Sequence, residues 1–177
     1  MSRHRLDKPR IMILTGEPSG DLHAENLVRE IRNQIPGAQL CGIGGAGLRR
    51  QGVDLFFDIK HLSVMGITEV LLQLGNISRA FTLFRQRLLS FRPDLLILVD
   101  NPGFNLQAAN TARRLLGNRV KLFYYIPPKV WAWNKRRIHA MARLMDHVGL
   151  ILPFEQPLYK QAGIQATYVG NPLLDLY

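Results

Sequence analysis

A single cysteine, Cys41, stands in the whole 177-residue sequence, which excludes an internal disulfide and any thiolate metal cluster. No apolar run approaches the ~20 residues that a membrane-spanning helix needs. The first ten residues, Met1 to Arg10, are polar and basic and contain no apolar stretch of signal-peptide length. Internal repeats and low-complexity tracts are also missing. These absences lead us to expect a cytoplasmic protein. Acidic side chains are scarce too: 13 Asp and Glu stand against 23 Lys and Arg, a formal net charge of +10. Such an excess suits a polyanion, whether nucleic acid, anionic lipid headgroups or a phosphorylated substrate, or it serves only solubility. What is present reads as one globular domain, 47% apolar and 20% charged, long enough to bury a core without staples.

Short apolar runs alternate with helical stretches. Strands are expected at Arg10 to Thr15, Gln39 to Ile43, Leu55 to Ile59, Asp94 to Val99, Val120 to Tyr125, His147 to Leu152 and Thr167 to Val169. Between them, Leu22, Leu27, Val28 and Ile31 mark a first helix, and a short one lies near Leu48 to Gln51. Ile67, Val70, Leu74, Ile77, Phe81, Phe84, Leu88 and Phe91 form one continuous stripe at steps of three and four, expected to face the core, with Gly75-Asn76 a place where that long helix can kink or divide. Further helices are expected at Phe104 to Leu116, Trp131 to Met145 and Glu155 to Ala162. Strands apolar on both faces that alternate with helices imply βαβ units and a doubly wound parallel sheet. In such sheets ligands bind outside the carboxyl ends of the strands, near the point where the strand order reverses. The expected organisation is a basic flexible tail over 1–9, an α/β domain over 10–170, and the start of a linker over 171–177.

Four loops at those carboxyl ends hold the least ordinary residues. Gly16 to Asp21 leaves a strand and opens a helix whose N–H groups suit an anion; Ser19 or Asp21 is a candidate cap, whereas Glu17 has no capping duty in such a turn. Gly42, Gly44 and Gly47 match G-x-G-x-x-G, but they follow the second strand and precede barely one helical turn, so a tight connection is the expected meaning. The loop from Asp100 to Asn105 follows the strongest strand. A carboxylate backed by an apolar strand is partly desolvated, which suits a general base; Asp100 can deprotonate a hydroxyl that Asn105 orients, or else Asp100 or Asn101 caps the next helix. Tyr124 to Trp133 concentrates two tyrosines and two tryptophans around Pro127-Pro128, with Lys129, Lys135, Arg136 and Arg137 beside them. Aromatic faces pack on sugar rings and acyl chains, and the cations suit a phosphate. Opposite the long helix's main stripe, Leu72, Arg79 and Leu83 suit the interface of an anionic membrane. The arginines are spread over several elements, and no motif that reads DNA or RNA is present, so no nucleic-acid partner is expected.

Taken together, the Gly-Glu-Pro-Ser-Gly-Asp turn at 16 to 21, Val64-Met65-Gly66-Ile67 with Glu69-Val70-Leu71, Asp100-x-Pro-x-Phe-Asn ending at Asn105, Pro128 to Trp133, Leu152 to Glu155 and Val169 to Pro172 resemble the lipid-A-disaccharide synthase family. The resemblance covers nearly the whole chain. It implies the N-terminal domain of a two-domain GT-B glycosyltransferase, Rossmann-like, with the second, nucleotide-binding domain absent and required in cis or in trans. It further implies transfer of 2,3-diacylglucosamine from its UDP derivative to 2,3-diacylglucosamine 1-phosphate, with inversion, on the cytoplasmic face of the inner membrane of a Gram-negative bacterium. No metal and no cofactor are implied. Asp100 takes the place of the family's key aspartate, and Glu17, Ser19, Gly20, Asp21, Met65, Asn105, Lys129, Trp131, Trp133 and Arg136 fall at substrate-binding positions. Lys129 departs from the small polar residue usual there. A non-catalytic module for anionic glycolipid or nucleotide is the alternative.

Overall fold

The structure, a computed structural model, describes residues 8–62, 70–128 and 135–172, the side chains of 70–73 and 135–137 excepted. Seven strands alternate with helices: β1 (Arg10–Leu14), α1 (Pro18–Gln34), β2 (Gln39–Gly44), α2 (Ala46–Arg50), β3 (Asp54–Asp58), α3 (Val70–Phe91), β4 (Leu95–Val99), α4 (Pro102–Leu116), β5 (Lys121–Tyr125), α5 (Lys135–Leu144), β6 (His147–Leu150), α6 (Gln156–Gln161) and β7 (Ala166–Tyr168). They form one sheet in the order β3-β2-β1-β4-β5-β6-β7, parallel at every pairing. The doubly wound parallel sheet expected from the sequence is therefore present.

Successive strand side chains point to opposite faces, and that alternation builds two cores. Met12, Leu14, Leu96 and Leu98 face α3, α4 and α5, where they meet Phe84, Leu88, Ala108, Ala112 and Met141. Ile11, Ile13, Ile97 and Val99 face α1, where they meet Ala24 and Val28. Burial of side chains of this size contributes about 1.5–3 kcal/mol each, so β1 and β4, buried on both faces, anchor the domain.

The long helix departs from expectation in two ways. It is continuous through Gly75 and Asn76, and the Asn76 amide donates to the His61 carbonyl at 2.8 Å. Its stripe is also not all core. Phe84 and Leu88 are fully buried, yet Leu74 is 59% exposed and Ile77 39%. At 22 residues the helix is about 33 Å long, whereas a five-residue strand such as β4 spans only about 17 Å. The first turns of α3 therefore overhang the carboxyl edge of the sheet, where Ile77 lines a cleft and Leu74 is exposed. Leu83, expected at a membrane surface, is half-buried and packs on the core; Phe56 and Phe57 of β3 share a 210 Å³ hollow with it. The Leu72 side chain lies outside the described residues.

Candidate active site

The strand order reverses between β1 and β4, so the loops that leave these strands diverge to opposite faces and open a crevice. Its volume is about 470 Å³, and Gly16 and Glu17 line it from the first loop, Asn101, Gly103, Phe104 and Gln107 from the second, and Leu62 and Ile77 from the α3 side. That volume is in the range of small-molecule sites. One wall is apolar (Leu62, Ile77, Phe104) and the other polar.

The backbone of the second loop is under strain. Asp100 and Asn101 have φ of 51° and 37°, and Ile126, at the end of β5, has φ of 55°. Left-handed backbone is costly for any L residue and most of all for a β-branched one, and strain of this kind concentrates at functional sites. Several bonds hold the turn. The Asp100 carbonyl accepts from the Tyr124 hydroxyl at 2.6 Å and from the Asn105 amide at 2.7 Å. The same amide donates to Val99 O at 3.1 Å. Asn101, not Asp100, caps α4: its side-chain oxygen accepts from the Phe104 N–H at 3.4 Å, with Pro102 in the first helical turn. Gly16 must be glycine here, because a Cβ there would lie 1.8 Å from Asn101 Nδ2.

Among the described residues the Asp100 carboxylate has no hydrogen-bond partner. It is half-exposed, and a Cβ placed on the buried Gly20 of α1 would lie 3.7 Å from the Asp100 Cβ. Asp100 is not among the residues that line the crevice; its neighbour Asn101 is. The carboxylate therefore stands on the α1 side of the opening. Its charge reaches His23 on α1. Burial pushes the His23 imidazole below its ordinary pKa, and Asp100 pulls it part of the way back.

Two sequence-derived ligand residues have other duties. Asp21 is 6% exposed. Its carboxylate accepts from the N–H groups of Gly45 and Gly47, each at 2.7 Å, and from Leu48 N–H at 3.4 Å. A buried carboxylate needs such donors; Asp21 binds the chain's own glycine turn. The G-x-G-x-x-G run is a tight connection, as its position implied, and the anion it encloses is internal. Asn105 is 1% exposed and spends its amide N–H groups on the backbone of the turn, with its side-chain oxygen unpaired among the described residues. Glu17 stands at the N-cap position of α1 without a side-chain cap bond, exposed at the crevice mouth. Ser19 is exposed in the first turn of α1. Tyr159, fully buried, donates its hydroxyl to the Pro128 carbonyl at 3.0 Å and so anchors the start of the aromatic loop. Met65, Lys129, Trp131 and Trp133 lie outside the described residues, and Arg136 is on α5 with its side chain undescribed.

Sequence reasoning missed Leu62, Ile77, Phe104 and Gln107 as lining residues. Phe104 and Gln107 lie one turn apart at the start of α4, a pattern that helical geometry could have flagged.

A model of the family described as lipid-A-disaccharide synthetase matches residues 11–177. The lipid-A-disaccharide synthase of Geobacter sulfurreducens is 48% identical over 94% of this chain and 42% of that protein, and the one of Syntrophus aciditrophicus is 43% identical over 94% and 43%. Among solved structures, a putative UDP-N-acetylglucosamine 2-epimerase from Listeria monocytogenes superposes with a TM-score of 0.62 at 12% identity, over 88% of this chain and 42% of that one. MurG of Acinetobacter baumannii gives 0.53 at 16%, over 82% and 42%. Anabaena HepE in complex with UDP and glucose gives 0.52 at 15%, over 92% and 44%. At these identities the structural likeness concerns the fold alone, that of the first half of a GT-B protein. The chain spans less than half the length of the relatives it matches, and it belongs to the lipid-A-disaccharide synthase family.

Proposed function

We propose that this chain is the acceptor-side half of a glycosyltransferase that moves 2,3-diacylglucosamine from its UDP derivative onto 2,3-diacylglucosamine 1-phosphate, releasing UDP. The carrying observation is Asp100: a half-exposed carboxylate with no hydrogen-bond partner among the described residues, on a strained turn beside a crevice at the switch point of the sheet. In a single inverting displacement, the acceptor hydroxyl attacks the anomeric carbon as the bond to UDP breaks. Asp100 takes the hydroxyl proton, and the departing UDP carries away the bonding electron pair. The crevice suits the acceptor. Leu62, Ile77 and Phe104 offer an apolar wall to an acylated sugar, while Glu17, Asn101 and Gln107 offer hydrogen bonds to its hydroxyls. Lys129 and Arg136 supply charge for a phosphate, and Met65, Trp131 and Trp133 complete the acceptor side.

The nucleotide falls to a second domain, in cis or in trans, because the relatives extend well beyond the matched region. The net charge of +10 supports a peripheral position on the anionic inner membrane of a Gram-negative bacterium, and the exposed Leu74 joins Leu72 as a membrane contact. No helix of the described residues is long and apolar enough to cross a membrane. The second reading is a binding module for anionic glycolipid or nucleotide that does no chemistry alone. UDP release separates the two. The chain together with a nucleotide-binding half should release UDP only when both sugar substrates are present. No release from that pair would remove the enzymatic reading.

A further inference from the structure

We propose that Tyr124 is a positioning residue for Asp100, its hydroxyl fixing the left-handed turn from which the carboxylate projects. The inference rests on the reading of Asp100 as the base. Tyr124 sits on β5 opposite Leu98, fully buried within the core on the α3 and α4 side. Its ring is core packing, and a phenylalanine would pack in the same space. The hydroxyl donates a hydrogen bond of 2.6 Å to the Asp100 carbonyl. Asn105 gives that carbonyl a second donor at 2.7 Å, from an amide whose own oxygen is buried without a partner.

Two buried side chains from different elements therefore converge on one peptide oxygen. That peptide follows a residue at φ 51° and precedes one at φ 37°, a conformation an L residue keeps only when its surroundings hold it. With the carbonyl drawn inward to the two donors, the Asp100 Cβ is set toward Gly20. Asn101 is left to cap α4, and the carboxylate is spared that duty. Without the hydroxyl the turn loses half of its grip, and the base wanders while the crevice lining keeps its shape.

The Tyr124→Phe variant tests this in two arms. In the first, NMR of this chain should show the Asp100 carbonyl carbon, the Asn101 amide and the Asp100 φ-dependent coupling displaced, with β2 and β3 resonances unmoved; unchanged Asp100 signals would overturn the proposal. Asn105→Ala, which removes the other donor, should displace the same signals and serves if Tyr124→Phe does not fold. In the second, the chain with its nucleotide-binding half should lose kcat by about 10- to 100-fold, the scale set by misplacing a reacting group, with KM little changed. Adding Tyr124→Phe to Asp100→Asn should cost nothing further. Equal loss in KM, or full additivity of the two changes, refutes positioning. Absence of transfer by the unaltered pair speaks against the functional reading instead, and the NMR arm still decides the turn.

Discussion

Asp21, in the first turn of α1, and Asp100, on the turn after β4, stand at the same edge of the sheet, and the structure treats them in opposite ways. Asp21 is buried, with three backbone N–H groups on its carboxylate. Asp100 is half-exposed, and no described residue donates to its carboxylate. The difference comes from the backbones around them. The 44–47 turn is rich in glycine, and a Cβ at Gly44, Gly45 or Gly47 would come within 3.0 Å of an Asp21 oxygen, so only bare backbone lets the amides close on the carboxylate. The Asp100 turn presents a carbonyl inward and keeps its N–H groups for Tyr125 O and Asn101 O. A carboxylate solvated by its own protein has nothing left for a substrate; one held by its backbone alone does.

Stability measurements can break or sharpen that contrast. The largest effect belongs to Asp21→Ala, which strands buried N–H donors and should lower unfolding free energy by about 3 kcal/mol, read by urea denaturation. A value under half of that would mean the glycine turn can satisfy itself. Gly16→Ala comes next. Its Cβ collides with Asn101 Nδ2, so the cap on α4 must open, with an expected loss of about 1–2 kcal/mol by thermal or urea melting. The smallest effect belongs to His23. Its folded pKa is lowered by burial, partly restored by Asp100, so below its unfolded value near 6.5 the unfolded chain binds more protons and stability falls as pH drops. His23→Gln should flatten that fall below about pH 6.5, by less than about 1 kcal/mol given its partial exposure. Asp100→Asn should lower the His23 pKa further in an NMR titration. An unmoved His23 would place the Asp100 charge elsewhere.

The sheet and its helices were legible because each strand is apolar on both faces and each connection is helical; the strands expected around residues 10, 39, 94 and 120 begin within a residue of where they lie. The site was legible only where function depends on position along the chain. Asp100 and Glu17 follow strands and so had to reach the active edge. The hold of Asp21 on the glycine turn was not legible because its partners lie 24–27 residues away, beyond what local spacing reports. Periodicity gave the α3 stripe its direction but not the sheet's height, which is why Leu74 and Ile77 were read as core. Leu83 was misread for the converse reason, since β3 covers a face that the helix pattern alone leaves open.

The most direct test of Asp100 as an available base is turnover and stability of Asp100→Asn, measured side by side in the presence of the nucleotide-binding half. Asparagine tolerates left-handed φ better than other non-glycine residues, so the fold should keep its stability while transfer falls by about 10²- to 10⁴-fold. A stable variant that still transfers at near the original rate would contradict the account.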